Sequence, residues 1–121
     1  MKIAKVVTSQ PWWALAHICW LITIAAQAAT NTHLQYISHF ERGLLSMFHG
    51  QEQSAVESFE LALEQEAGQF QLYHYLGWAH SELKNWQKSI VTYQKSLKLN
   101  PNNAEVLYSL GAAHFLSLIH I

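Results

Sequence analysis

The chain has 121 residues, half of them hydrophobic and 12% charged, which is enough apolar material for a core and sets a limit of one domain. From Ala29 onward five basic residues face eight glutamates, a net charge of −3, and this balance excludes a general affinity for nucleic acid. Cys19 is the one cysteine, so no disulfide forms within the chain.

Residues 1–28 read as an export signal. Lys2 and Lys5 precede an apolar run from Trp12 to Ala25, and Ala26-Gln27-Ala28 supplies the small-x-small ending at which cleavage is expected, leaving Ala29 first. The competing reading is an uncleaved anchor over residues 12–29, because about 17 to 25 apolar residues span a bilayer. Cys19 lies inside this segment and is not a lipidation site, since Ile18 stands where a small residue is needed and the apolar run continues beyond it. The expected destination is a periplasm, with membrane attachment only if the segment is retained. Residues 29–35 are expected to form a short linker.

A repeat then begins. Gly43, Gly77 and Gly111 are spaced 34 residues apart, and in the same phase Ala55 matches Ser89, Phe59 matches Tyr93, Ala62 matches Ser96, Leu76 matches Leu110 and His80 matches His114. A fixed period of this size marks a solenoid. The units are 36–69, 70–103 and an incomplete 104–121. In the second unit Leu72, Tyr73, Leu76, Ala79 and Leu83 recur at intervals of three and four, the stripe of one helix. Lys84-Asn85 breaks it, Asn85 is placed to cap the next helix, and Trp86, Ile90, Tyr93 and Leu97 form a second stripe. Pro101 ends that helix, because proline disfavours helical geometry in the residue before it.

The stretch Tyr73-His74-Tyr75-Leu76-Gly77-Trp78-Ala79-His80, followed by Ser89, Tyr93, Ser96 and Pro101, closely resembles the tetratricopeptide repeat (TPR). The resemblance implies an all-α fold, an α-solenoid of helix-turn-helix units in a right-handed superhelix. It assigns Gly43, Ala55, Phe59, Ala62, Leu76, Gly77, Ser89, Tyr93, Ser96, Pro101, Leu110 and Gly111 to packing between helices. The first unit departs from the pattern: His39 and Arg42 stand where large apolar residues belong, and Ala67 replaces the proline. Polar residues there suit a terminal cap, or else the helix from about Thr32 to Phe48 is rotated.

In this family the first helices line a concave groove. The residues at groove phases are Ile37, Phe40, Leu44 and Met47, then Gln71, His74 and Trp78, then Tyr108, Ala112 and Phe115. This aromatic surface suits a peptide or protein partner with large side chains, and the implied function is an interaction scaffold in a bacterial envelope assembly. The family's Lys, Arg and Asn clamp for a C-terminal carboxylate is missing. Two other classes stay open: the input region of a larger membrane-anchored signalling protein or enzyme, and a self-assembling structural protein joined by the acidic first and basic second units.

No enzyme signature is present, and neither a cofactor nor a metal site is expected. His80 and His114 share a repeat phase at which the family has an aromatic packing residue, so each is read as a ring packed between helices with one nitrogen hydrogen-bonded. The third unit stops before its second helix. Its last six residues, Leu116 to Ile121, can be encoded by CTG TCT CTT ATA CAC ATC, which looks like a transposon end, and the natural protein is expected to continue past about Phe115.

Overall fold

The computed structural model describes residues 11–119. Its elements are α1 (Trp12–Phe48), α2 (Glu52–Gln65), α3 (Phe70–Glu82), α4 (Trp86–Leu99) and α5 (Ala104–Ile119), with no strand among the described residues. The chain divides into two units between Thr32 and His33. Lys2, Lys5, His120 and Ile121, which belong to the expected export signal and the expected appended end, lie outside the described residues.

In the first unit the helix is exposed along nearly its whole surface, Trp12, Trp13, Leu21 and Ile22 included. By length and composition α1 is able to cross a membrane. Residues 29–35 are helical, where a linker is expected from the sequence. That segment contains no glycine or proline, and the Thr30 and Thr32 hydroxyls donate to the carbonyls of Gln27 and Ala29 at 2.8 Å, so the polar side chains bond within the helix and leave it unbroken.

The second unit is built from helix hairpins whose turns repeat with the same 34-residue phase as the glycines. At the end of α1, Gly50 adopts φ 68°, its N–H donates to the Met47 carbonyl at 3.1 Å, and the Gln51 N–H donates to the Ser46 carbonyl at 2.8 Å. At the end of α3 the same pair of bonds runs from Lys84 to Ser81 and from Asn85 to His80, both 2.9 Å, with Lys84 at φ 60°. Both are left-handed caps that satisfy the last carbonyls of a helix, and only the first has the residue type that adopts this geometry without strain. Asn85 occupies the N-cap position of α4, but its side chain makes no capping bond, contrary to expectation. The side-chain cap is found one turn region later, where Asn103 Oδ1 accepts the N–H groups of Glu105 at 3.1 Å and Val106 at 3.3 Å.

Packing follows the apolar stripes. Leu72, Leu76 and Ala79 of α3 are buried with Ala55, Val56, Phe59 and Ala62 of α2 and Tyr36 of α1, while Ile90 and Tyr93 of α4 form a second cluster with Val106 and Ala113 of α5. The two helices of each hairpin approach through a glycine. A Cβ on Gly43 would collide with the Phe59 ring, and one on Gly77 would lie 2.7 Å from two ring carbons of Tyr93. Gly111, in the same phase, has open space instead. Ser89 and Ser96, fully buried, add polar ties: their hydroxyls donate to the carbonyls of Gly77 and Phe70 at 2.8 Å. The helix that carries His39 and Arg42 is regular and in phase, with Gly43 facing Phe59 and Arg42 exposed.

Candidate binding groove

The first helices α1 and α3 bring a line of rings together, backed by Tyr93 of α4. Tyr36 stacks on Phe40 at 5.9 Å between centroids, Phe40 meets Tyr75 edge-on at 5.6 Å, and Tyr75 lies 6.5 Å from Trp78. His74 stacks beside Tyr75 at 5.4 Å and tilts against Tyr93 at 6.0 Å. These separations fall within the range of favourable aromatic pairing. Position on the helix explains the set: His74, Trp78 and Glu82 follow one another at i and i+4, so they share one face of α3.

The expected groove residues differ in depth. Ile37, Phe40, Leu44 and Met47 are half-buried and pack against the first core cluster, so on α1 they form a floor. His74 is also half-buried, as is Ala112, whereas Gln71 is exposed. The open large surfaces are Trp78 at 43%, Phe115 at 63% and Tyr108 at 80% exposure, which leaves these rings available for contact.

Two carboxylates that the repeat pattern did not single out stand beside the rings. Trp78 Nε1 donates to Glu82 Oε1 at 3.0 Å, which fixes the indole plane, and Glu105 Oε1 of α5 lies 4.0 Å from His74 Nε2 across the α3–α5 boundary. Burial pushes the His74 pKa below the ordinary histidine value, and the Glu105 charge partly opposes that shift. Their signal in the sequence was the helical spacing of Glu82 from Trp78. The contact with Glu105 needed the fold.

The histidine expectation holds only in part. His80 is buried, yet its Nδ1 has no hydrogen-bond partner, and His114 is exposed because no helix among the described residues covers that side of α5. The His80 pKa is lowered by burial first and then by Lys88, with Glu60 opposing. His80 also borders a hollow of about 360 Å³ between α2, α3 and α4, with Leu63, Leu76 and Val91 on its walls and Lys88 and Lys95 at its rim. The repeat pattern gave no sign of it.

Comparison with known proteins decides the family. Residues 79–117, from the end of α3 through α5, match the TPR repeat model. The chain is a TPR protein. A mouse PEX5-related protein is 32% identical over 75 residues, 62% of this chain, and the human SGT1 homolog is 31% identical over 91 residues, 75% of this chain. The chain spans 13% and 24% of the lengths of those two relatives. Among solved structures, the Arabidopsis OM64 TPR domain superposes with a TM-score of 0.69 at 19% identity, over 74% of this chain and 73% of that one. The second TPR of Spaghetti (RPAP3), bound to the HSP90 peptide SRMEEVD, gives 0.69 at 18% identity, over 78% and 87%. The TPR fold of the second unit is thus established: helix pairs joined by tight turns, with the first helix of each pair on one common face.

Proposed function

We propose that this TPR protein is a scaffold that holds a peptide or a protein segment against the face formed by α1, α3 and α5. The observation that carries the reading is Trp78: a large indole, held in orientation by Glu82, exposed beside the half-buried rings of Tyr75 and Phe40. A rigid aromatic with few rotamers gives up little entropy on binding and supplies much area, the profile of a binding hot spot. The solved TPR of RPAP3 with its bound peptide supports the same use of the fold. Export also belongs to this reading, on the strength of the apolar run and the Ala26-x-Ala28 ending. An uncleaved form would present the repeats from a membrane surface, with Trp12, Trp13 and Trp20 suited to the interface.

The test is selection of binders for the full chain from a library of random 12-residue peptides, followed by titration of the best binder. Trp78→Ala should weaken that binder by about 2 kcal/mol or more while helicity and melting temperature change little, because the side chain is half in solvent. A library that yields no binder, or a variant that loses fold and binding together, would overturn the reading. The N-terminal residue of the protein recovered from cells reports on export, with Ala29 expected.

A further inference from the structure

From the charges around Trp78 we infer that the groove selects a basic segment: a peptide that lays a Lys or Arg side chain over the Trp78 ring between the Glu82 and Glu105 carboxylates. This rests on the groove reading above and names the partner's chemistry.

Charge in this protein is sorted by helix. α3 and α5, which form the open part of the groove, contain no lysine or arginine, and their carboxylates are Glu82 and Glu105. Within the described residues the lysines lie elsewhere, Lys84 in the turn and Lys88, Lys95 and Lys98 on α4, and Arg42 is on α1. Lys88 and Lys95 border the separate hollow between α2, α3 and α4. A partner approaching α3 and α5 therefore meets negative charge set among rings, and an acidic partner meets repulsion there with no lysine or arginine on either helix to offset it.

The geometry suits a cation. His74, Trp78 and Glu82 stand on successive turns of α3, about 6 Å of axial rise apart, and each neighbour of Trp78 brings a carboxylate: Glu82 bonds the indole N–H directly, and Glu105 contacts His74 one turn earlier. Glu82 Oε1 accepts the indole N–H, which leaves Oε2 to accept from a guest ammonium or guanidinium. The indole face is the best cation–π surface among the side chains. Apolar flanking residues on the peptide would find Tyr108 and Phe115, both exposed on α5.

The peptide selection described above supplies the readout. Binders of the full chain should be enriched in Lys and Arg and depleted of Asp and Glu relative to the library. Replacing the basic residue of the best binder by Gln should weaken it about 5- to 30-fold, the range of a partly desolvated cation–π contact. Glu82→Gln with Glu105→Gln should each weaken it about 2- to 5-fold, flatten its salt dependence, and leave melting unchanged, since glutamine retains an acceptor for the Trp78 N–H. Trp78→Leu, which keeps apolar bulk, should remove the preference for Arg or Lys over Gln. Binders with no excess of basic residues, or a preference that survives both glutamine variants, would overturn this inference and leave the scaffold reading standing. A library without binders would overturn both.

Discussion

Gly77 and Gly111 occupy the same repeat phase, yet alanine should act on them with opposite sign. At Gly77 the added methyl lies 2.7 Å from Tyr93 Cδ1 and Cε1 and 3.1 Å from Cζ, against an ordinary carbon separation of about 3.5 to 4.0 Å. The ring has no room to retreat: Tyr93 is 2% exposed and backed by His74. Relief requires α3 and α4 to separate by roughly 1 Å, and overpacking of this kind costs about 1–3 kcal/mol. Three contacts on a rigid ring place Gly77→Ala near the top of that range. Alanine returns about 1 kcal/mol through its higher helix propensity, so the net loss should be about 2 kcal/mol. At Gly111 nothing lies within 4 Å, and only the propensity gain operates, about 1 kcal/mol of added stability. Urea unfolding followed by circular dichroism should separate the two variants by about 3 kcal/mol, with Tyr93→Leu restoring much of the loss in the Gly77→Ala background. Equal effects at the two sites would refute the assignment of Gly77 as a close-contact position, and a destabilising Gly111→Ala would show that this face of α5 is covered in solution.

Two further outcomes follow from the turns and from His74 and His80. Lys84→Gly removes a left-handed non-glycine residue at φ 60°, which costs about 1–2 kcal/mol, and adds backbone entropy to the unfolded chain of about 0.4–1 kcal/mol, so thermal melting should show a gain of about 0.5–1 kcal/mol, and a loss would mean the lysine chain has a stabilising role. His74 and His80 have folded pKa values below the unfolded 6.5, so the unfolded chain takes up protons first as pH falls. Their contribution is complete above about pH 7 and is lost as pH drops through 6.5 toward the folded values, with a slope of at most about 1.4 kcal/mol per pH unit for each histidine. His80→Phe removes one of the two and its unpaired Nδ1, and urea midpoints between about pH 7.5 and 5.5 should then fall less steeply than for the unchanged chain; an identical slope would refute it.

Much of the second unit was legible because the family's packing is written in residue size. The family resemblance assigned Gly43, Phe59, Gly77 and Tyr93 to packing between helices, and the fold sets Gly43 against Phe59 and Gly77 against Tyr93. Polar detail was less legible. Ser89 and Ser96 read only as small residues, whereas each makes a buried hydrogen bond to the backbone of α3. Asn85 had the residue type and the position of a cap, but its side chain makes no capping bond, and only its backbone N–H is engaged, by the His80 carbonyl. In the groove, period and phase named Trp78 and His74, but depth depends on neighbours: Phe40, Leu44 and Met47 sink against the core while Tyr108 stands out. Glu105 joined the site through a contact between repeats that no spacing within one helix records.

The ring in the Gly77 notch also touches the groove from behind. Tyr93 fills the gap between α3 and α4 on one side and supports His74, the neighbour of Glu105, on the other. The residue that gauges the width of the hairpin therefore sets the footing of a groove side chain as well. If the proposed groove binds a partner, its preference would be open to adjustment from the back of the repeat: a change in ring size or shape at Tyr93 would alter the support of His74, the neighbour of Glu105, with every residue that a partner would touch left as it is.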